Sequence, residues 1–274
     1  MHLSRILRQA ATLAALCAPA WALCAPQQAP AAQVVVVQAT LDADEVPYAR
    51  FMKGMAVFEQ NRQLAPAATL RFRLYPRARD ASFDGLVLTL AGGGHDMRIE
   101  LDAHQGFTLP NLPELARAGA LVMTNKKSGS YAWRVDIRTP GLPPNTRRLG
   151  DLRLECKVDM KGAELRRIVR NPSLAALSAV DDPCTYRSFE NPFFAERPLF
   201  NVTLVWGTRR ESLAAEWLYA NSARHLPEAV YALADWRYTR DRQYVPPIAD
   251  RSWPDDTLVE FEYMDDETDA GAQR

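Results

Sequence analysis

From Thr69 onward the apolar residues of this 274-residue chain recur at every second position, and that period constrains the fold more than any other feature. Leu70, Phe72 and Leu74 alternate with Arg71, Arg73 and Tyr75, the pattern of a strand with one face on a core and the other in water. Residues 86–90 and 97–101 read as two short strands around Gly92-Gly93-Gly94, where glycine accepts the positive φ of a hairpin tip. Phe107, Leu109, residues 120–123 and residues 131–137 continue the pattern, and Pro113 opens a short helical turn through Arg117. One helix precedes the strands. Asp44 is its expected cap and Pro47 suits its first turn, while Tyr48, Phe51, Met52, Met55 and Phe58 fall on one face. An apolar, β-branched run at 34–39 is the first expected strand.

Asp102-Ala-His-Gln-Gly106-Phe107-Thr108-Leu109-Pro110-Asn111-Leu112-Pro113 resembles the D-x-x-G-x-F-x-L-P-x-L-P strand of carboxypeptidase-regulatory-like (transthyretin-like) β-sandwich domains. The resemblance implies a turn that delivers an aromatic residue and a leucine to the core, followed by a proline-rich bend. It implies a structural or binding module and carries over no catalytic residue.

The second half echoes the first. Residues 202–206, the turn at Gly207, and residues 212–217 repeat the strand–turn–strand layout of 86–101; residues 241–248 parallel 102–112, and 257–263 parallel the strand near Leu121. A degenerate tandem repeat accounts for this, as do independent antiparallel strands. Residues 152–158 read as a strand that carries Cys156, and 164–180 as a mixed segment, helical around Pro172. The expected fold class is mainly β: two β-sandwich-like (immunoglobulin/transthyretin-like) domains, at 34–150 and 151–264, with an amphipathic helix near the N-terminus.

The N-terminus supplies an address. Arg5 and Arg8 precede an apolar run at 10–18 too short to span a bilayer, and Ala20-Trp21-Ala22 offers small residues at the −3 and −1 positions of a cleavage site. Residues 1–22 are therefore an expected signal peptide, 23–33 a flexible Ala/Pro/Gln-rich leader, and 265–274 a frayed acidic tail. Neither Cys17 nor Cys24 follows the small residue that a lipidation signal requires. The expected location is the bacterial periplasm or beyond, an oxidising compartment in which thiols pair. Cys156 and Cys184 are the expected disulfide; two free buried thiols, or a redox or metal role, are the alternatives, and no C-x-x-C spacing accompanies either cysteine.

Export removes two of 33 basic side chains and none of 33 acidic ones, leaving a formal charge of −2. Such a balance gives no net attraction to nucleic acid or anionic lipid. No run after residue 22 is long and apolar enough to span a membrane.

Signals for chemistry are weak. His95 and His104 flank one hairpin near Asp96 and Asp102, but their spacing matches no ligand pattern; His225 stands alone. A phosphate loop at Gly92–Gly94 would need a helix after it, and an oxyanion loop a G-x-S-x-G elbow. Ser128-Gly129-Ser130 after Lys126-Lys127 lacks the S-x-x-K order, and Asp181-Asp182 and Asp255-Asp256 sit in no loop of regularly spaced donors. No cofactor, metal or catalytic residue is assigned. The stronger lead is compositional: Trp206, Trp217, Tyr219, Trp236, Tyr238 and Tyr244 are interleaved with Arg209, Arg210, Arg237, Arg240 and Arg242, the mixture of a recognition patch. The expected function is non-catalytic binding of an envelope component or protein partner, with Trp236, Arg237 and Tyr238 as its surface. A hydrolase or metal-dependent site at His95/His104, and a structural subunit of an envelope assembly, are the alternatives.

Overall fold

The computed structural model describes residues 43–77, 81–163, 182–187, 190–221 and 239–265, with His95 described by its backbone alone. The expected signal, leader and 34–39 strand, the 164–180 segment, His225, the Trp236-Arg237-Tyr238 surface and nearly all of the acidic tail lie outside the described residues. The fold is mainly β, in four antiparallel sheets with a few short helices, compatible with the β-sandwich class.

The first half runs β1 (Ala43–Pro47), α1 (Tyr48–Gln60), β2 (Thr69–Pro76), β3 (Leu88–Gly92), β4 (His95–Ile99), β5 (Gly106–Phe107), α2 (Pro113–Arg117), β6 (Leu121–Lys127) and β7 (Tyr131–Arg138). The second runs β8 (Thr146–Arg148), α3 (Leu149–Val158), β9 (Phe193–Phe194), β10 (Leu199–Trp206), β11 (Arg209–Ser212), β12 (Gln243–Tyr244) and β13 (Leu258–Tyr263). One four-stranded sheet has the order β1-β6-β3-β4 and the other β8-β13-β10-β11. The smaller sheets are β5-β2-β7 and β12-β9.

These are two copies of one topology, and the register matches residue by residue. Val122 lies between Val46 and Leu90, and Val259 lies between Arg147 and Leu204. Gly92 closes a hairpin on His95, and Trp206 closes one on Arg209. Phe72 faces Phe107, as Phe193 faces Tyr244. Even the first helical amides agree: Tyr48 donates to the Ala120 carbonyl and Leu149 to that of Thr257, each at 2.9 Å. The strand order and register of the two halves therefore correspond over these described strands, with one adjustment to the parallel read from the sequence. Gln105 N bonds Asp102 O and Arg242 N bonds Thr239 O, both at 3.0 Å, so Thr239 rather than Asp241 occupies the place of Asp102.

The described residues belong to one compact unit with two main hydrophobic clusters. In the first, Phe51 of α1 meets Phe72, Phe107 and Trp133 with ring centroids 4.8, 6.3 and 6.1 Å away. The second gathers Phe193, Tyr244, Phe261 and Trp253. The boundary expected after residue 150 falls inside α3, which feeds both clusters: Leu154 and Val158 join the first, while Leu149, Leu152 and Cys156 join the second.

That double service explains why residues 152–158 form a helix and not the expected strand. Leu152, Leu154, Cys156 and Val158 alternate in sequence because a helix buried on two sides needs apolar residues on both, and period two is the result. Asp44 is likewise not a helix cap. It lies in β1, its Oδ2 accepts from Tyr131 N at 3.2 Å, and Pro47 precedes α1 without a side-chain cap. Residues 212–217 hold the end of β11 and a 3₁₀ turn at Ala215–Trp217 in place of a full strand. The hairpin at Gly93-Gly94 is as expected, with φ of 63° and 79°.

The disulfide between Cys156 and Cys184 is present, with Cα atoms 6.0 Å apart. It ties α3 to the 3₁₀ turn Pro183–Thr185. No helix among the described residues is long and apolar enough to cross a membrane.

Candidate functional site

An opening of about 340 Å³ among the described residues is a groove in the second repeat between the β10–β11 hairpin and residues 245–253. Its volume falls in the range of small-ligand and short-peptide sites. Its origin is visible in the repeat. β5 and β12 are followed by connections of equal length to β6 and β13, so positions correspond one to one. Leu109, Leu112 and Leu115 pack on the first core; their counterparts are Pro246, Ala249 and Ser252. Two of these replacements, Pro246 and Ala249, line the groove, whereas Ser252 is exposed outside its lining.

The walls are held by named bonds. Trp217 is fixed between the Ala214 carbonyl, to which its amide donates at 2.9 Å, and Val245 N, which donates to the Trp217 carbonyl at 2.8 Å. The guanidinium of Arg209 lies 3.5 Å over the Trp253 ring, and its Nε donates to Glu211 at 2.8 Å. Opposite, Arg187 donates to Asp250 Oδ1 at 3.2 Å. The Ser252 amide, also bonded to Asp250, leads the causes that keep its carboxyl below the usual range, against partial burial and with help from Arg187 and Arg209.

Arg153 shapes the groove from beneath. Buried on α3, it donates to the carbonyls of Ile248, Asp250 and Trp253, each at 2.8 Å, and to Asp255 Oδ1 at 2.5 Å. Five donors in a rigid fork suit this task. In the first repeat the corresponding connection is held from α1 by Tyr48, whose hydroxyl donates to the Pro110 carbonyl and accepts from Leu112 N at 3.1 Å. A lone arginine in a short apolar stretch gives no sign of this role in the sequence.

A second polar constellation lies between the repeats. Asp136 pairs with Arg138 at 2.8 Å and Arg73 at 3.5 Å, Arg138 reaches Glu196 at 2.9 Å, and Arg147 pairs with Glu155 at 2.5 Å. Burial pushes the Asp136 carboxyl up, yet Arg138 and Arg73 hold it down at about 2. Burial works against the charge of Arg147 as well, and Glu155 keeps it well above its ordinary value. Beside these groups is a small cavity of about 10 Å³, bordered by Asn191, whose buried amide has no hydrogen-bond partner among the described residues. This charged seam joins residues of both halves.

The aromatic and arginine residues singled out in the sequence scatter. Arg209 and Trp217 line the groove. Tyr244 is core, Trp206 is 46% exposed at its hairpin tip, and the Tyr219 hydroxyl donates to the Leu199 carbonyl at 2.8 Å. Arg210 pairs with Glu260, while Arg240 and Arg242 brace the carbonyls of Tyr219 and Glu196. The groove lining also includes Leu204, Ile248 and Trp253, which the compositional pattern did not single out.

His95 and His104 are not brought together. His95 opens β4 at the hairpin tip and His104 follows its far end, so about 13 Å of strand separates them at 3.3 Å per residue. His104 is exposed in a turn where its amide and that of Gly106 donate to Asp102 Oδ1, both at 2.8 Å. Phe107 from this segment is buried and Leu109 half-buried against the core. Ser130 belongs to a tight turn, its hydroxyl donating to the Lys127 carbonyl at 2.6 Å. Asp182 pairs with Lys157, and Asp255 with Arg153. Among the described residues no group of three or more His, Cys, Asp or Glu is placed to hold a metal ion. Comparison with known proteins returns no matching family model, no similar curated sequence and no similar solved structure.

Proposed function

We propose that this chain is an exported, non-catalytic binding protein of the bacterial periplasm whose recognition site is the groove of the second repeat. One observation carries the reading: at two positions where the first repeat packs leucine on its core, Leu109 and Leu112, the second places Pro246 and Ala249, and both line the groove. A space kept open inside an otherwise repeated scaffold, with its walls pre-set by Arg153, is economical for recognition because little ordering is left to binding. Tryptophan and arginine on its walls are residues favoured at recognition surfaces. Trp236, Arg237 and Tyr238, the surface expected from the sequence, lie outside the described residues and enter through the test.

The test restores the first repeat. The double variant Pro246→Leu, Ala249→Leu returns leucine to two positions of the groove lining. Fractions of envelope extract are passed over the immobilised chain by surface plasmon resonance, with Trp236→Ala and Arg237→Ala as further arms. The expected result is a retained component whose affinity falls at least tenfold in the double variant. Equal retention by wild type and double variant overturns the groove as the recognition site, and turnover of a retained component overturns non-catalytic binding.

A further inference from the structure

The groove has an unused strand edge as its rim, and we infer that its ligand is an extended peptide segment carrying one basic side chain. This rests on the groove being the recognition site. In the β10–β11 ladder Leu213 N donates to Val202 O at 2.8 Å, so by antiparallel alternation Arg209, Glu211 and Leu213 turn their backbone groups toward β10. Arg210 and Ser212 turn theirs away, and among the described residues these outward amides and carbonyls meet no backbone partner. β11 is the last strand of its sheet. An added strand would therefore find two donors and two acceptors at residue spacing, the geometry of β-augmentation.

The groove beside that edge supplies specificity. Alternate side chains of an added strand point to one face, here the trough between Trp217 and the Pro246-Pro247 wall. The charge on the lining is uneven. Arg187 is matched by Asp250 and Arg209 by Glu211, whereas exposed Glu190 has no ion-pair partner among the described residues. A lysine or arginine on the incoming segment complements this surplus. An oligosaccharide stacked on Trp217 would use neither the outward backbone groups of β11 nor the charge of Glu190 in this way.

A displayed library of random nine-residue peptides, selected on the immobilised full chain and counter-selected on Pro246→Leu, Ala249→Leu, tests the inference. Enriched sequences should alternate apolar residues and carry lysine or arginine at one fixed place. For a synthetic peptide of the enriched sequence, Glu190→Lys should weaken binding at least tenfold by calorimetry; Glu190 is exposed, so folding is not at stake. Methylating the peptide's backbone nitrogens at alternate positions should abolish binding in one phase and leave it within twofold in the other. Enrichment without a basic residue, or indifference to both methylation phases, overturns the proposal. If no peptide survives counter-selection while a chito-oligosaccharide or envelope component loses tenfold in the double variant, the peptide inference fails and the groove reading stands. If no ligand distinguishes wild type from the double variant, both fail.

Discussion

The first repeat is filled and the second is fastened. Both set their strands in the same register, yet where the first places Val46, Met52, Met55 and Phe58, the second places Arg147, Arg153, Cys156 and Asp159. The backbone ladder is indifferent to this exchange because its hydrogen bonds are main-chain, and each repeat solves its interior separately. Apolar burial serves the first. The second substitutes a disulfide, an arginine that gathers three carbonyls, and buried charge pairs that face the first repeat. Such polar fastening is directional and leaves space between its anchors, which apolar filling does not. The groove is a consequence of that difference.

The sharpest way to break the comparison is to remove an equivalent residue from each core. Phe51→Ala should cost about 4 kcal/mol, since the ring contacts three others and its loss leaves a cavity; Leu152→Ala, at the matching position, should cost about 3 kcal/mol. Because α3 contributes to both clusters, each variant should still unfold in urea as a single transition. Two resolved transitions would show that the repeats are energetically separate.

Opening the Cys156–Cys184 bridge is expected to come next, at about 3.5 kcal/mol for a loop of this length in the chain-entropy model. Cys156→Ala, Cys184→Ala should lower the melting midpoint and leave Phe51's surroundings unchanged in near-ultraviolet dichroism. A loss below about 1 kcal/mol would mean that Arg153 and the charge pairs suffice as fasteners.

The seam predicts acid sensitivity. The Asp136 carboxyl titrates at about 2 in the fold, under burial that opposes ionisation and the attraction of Arg138 and Arg73 that prevails. Its folded value lies below its unfolded one, so its contribution is complete above about pH 4 and is lost as pH falls from 4 toward 2, on the order of 2 kcal/mol. Glu155, pushed up by burial against the pull of Arg147, acts in the opposite sense at higher pH. Asp136→Asn should be less stable at neutral pH and should flatten the curve below pH 4. An unchanged acid limb in that variant would remove Asp136 from the seam.

Much of the first repeat is legible in its sequence because it obeys one rule at a time. β2 shows a two-residue period, α1 a helical face, and Gly93-Gly94 a turn whose positive φ few other residues adopt. The second repeat mixes rules. α3 alternates because both its sides are buried, and β9 and β12, at two residues each, are too short to show any period. The disulfide is legible from the expected signal peptide and the cysteine count, since its logic is chemical rather than periodic. The groove is not. Its lining holds Pro246 and Ala249 in place of leucine, which shows only when the two halves are aligned on Leu109 and Leu112. Arg153 was equally hidden, because its partners are carbonyls distant in sequence.

The two helices touch through glycines, which gives a smaller test of how far the repeats depend on each other. A methyl group at Gly162, in the π-helical turn that continues α3, would sit 2.6 Å from the Gly54 Cα of α1, against backbone that has no rotamer to yield. Gly162→Ala should therefore cost about 2 kcal/mol by overpacking.

Arg209 gives the mildest comparison. Its counterpart at the first hairpin is His95, so Arg209→His writes the first repeat's residue into the second. The variant loses the guanidinium over Trp253, which is otherwise 2% exposed, together with the pair to Glu211. Stacking of this kind at a partly exposed site is worth about 1 kcal/mol, and the ion pair, lying at the surface, adds little. The fold should be retained with a small drop in midpoint, and tryptophan fluorescence should shift to the red as water reaches the Trp253 ring. A loss above about 3 kcal/mol would make Arg209 a structural lock of the second core, and the groove would then end at Trp253 instead of passing over it.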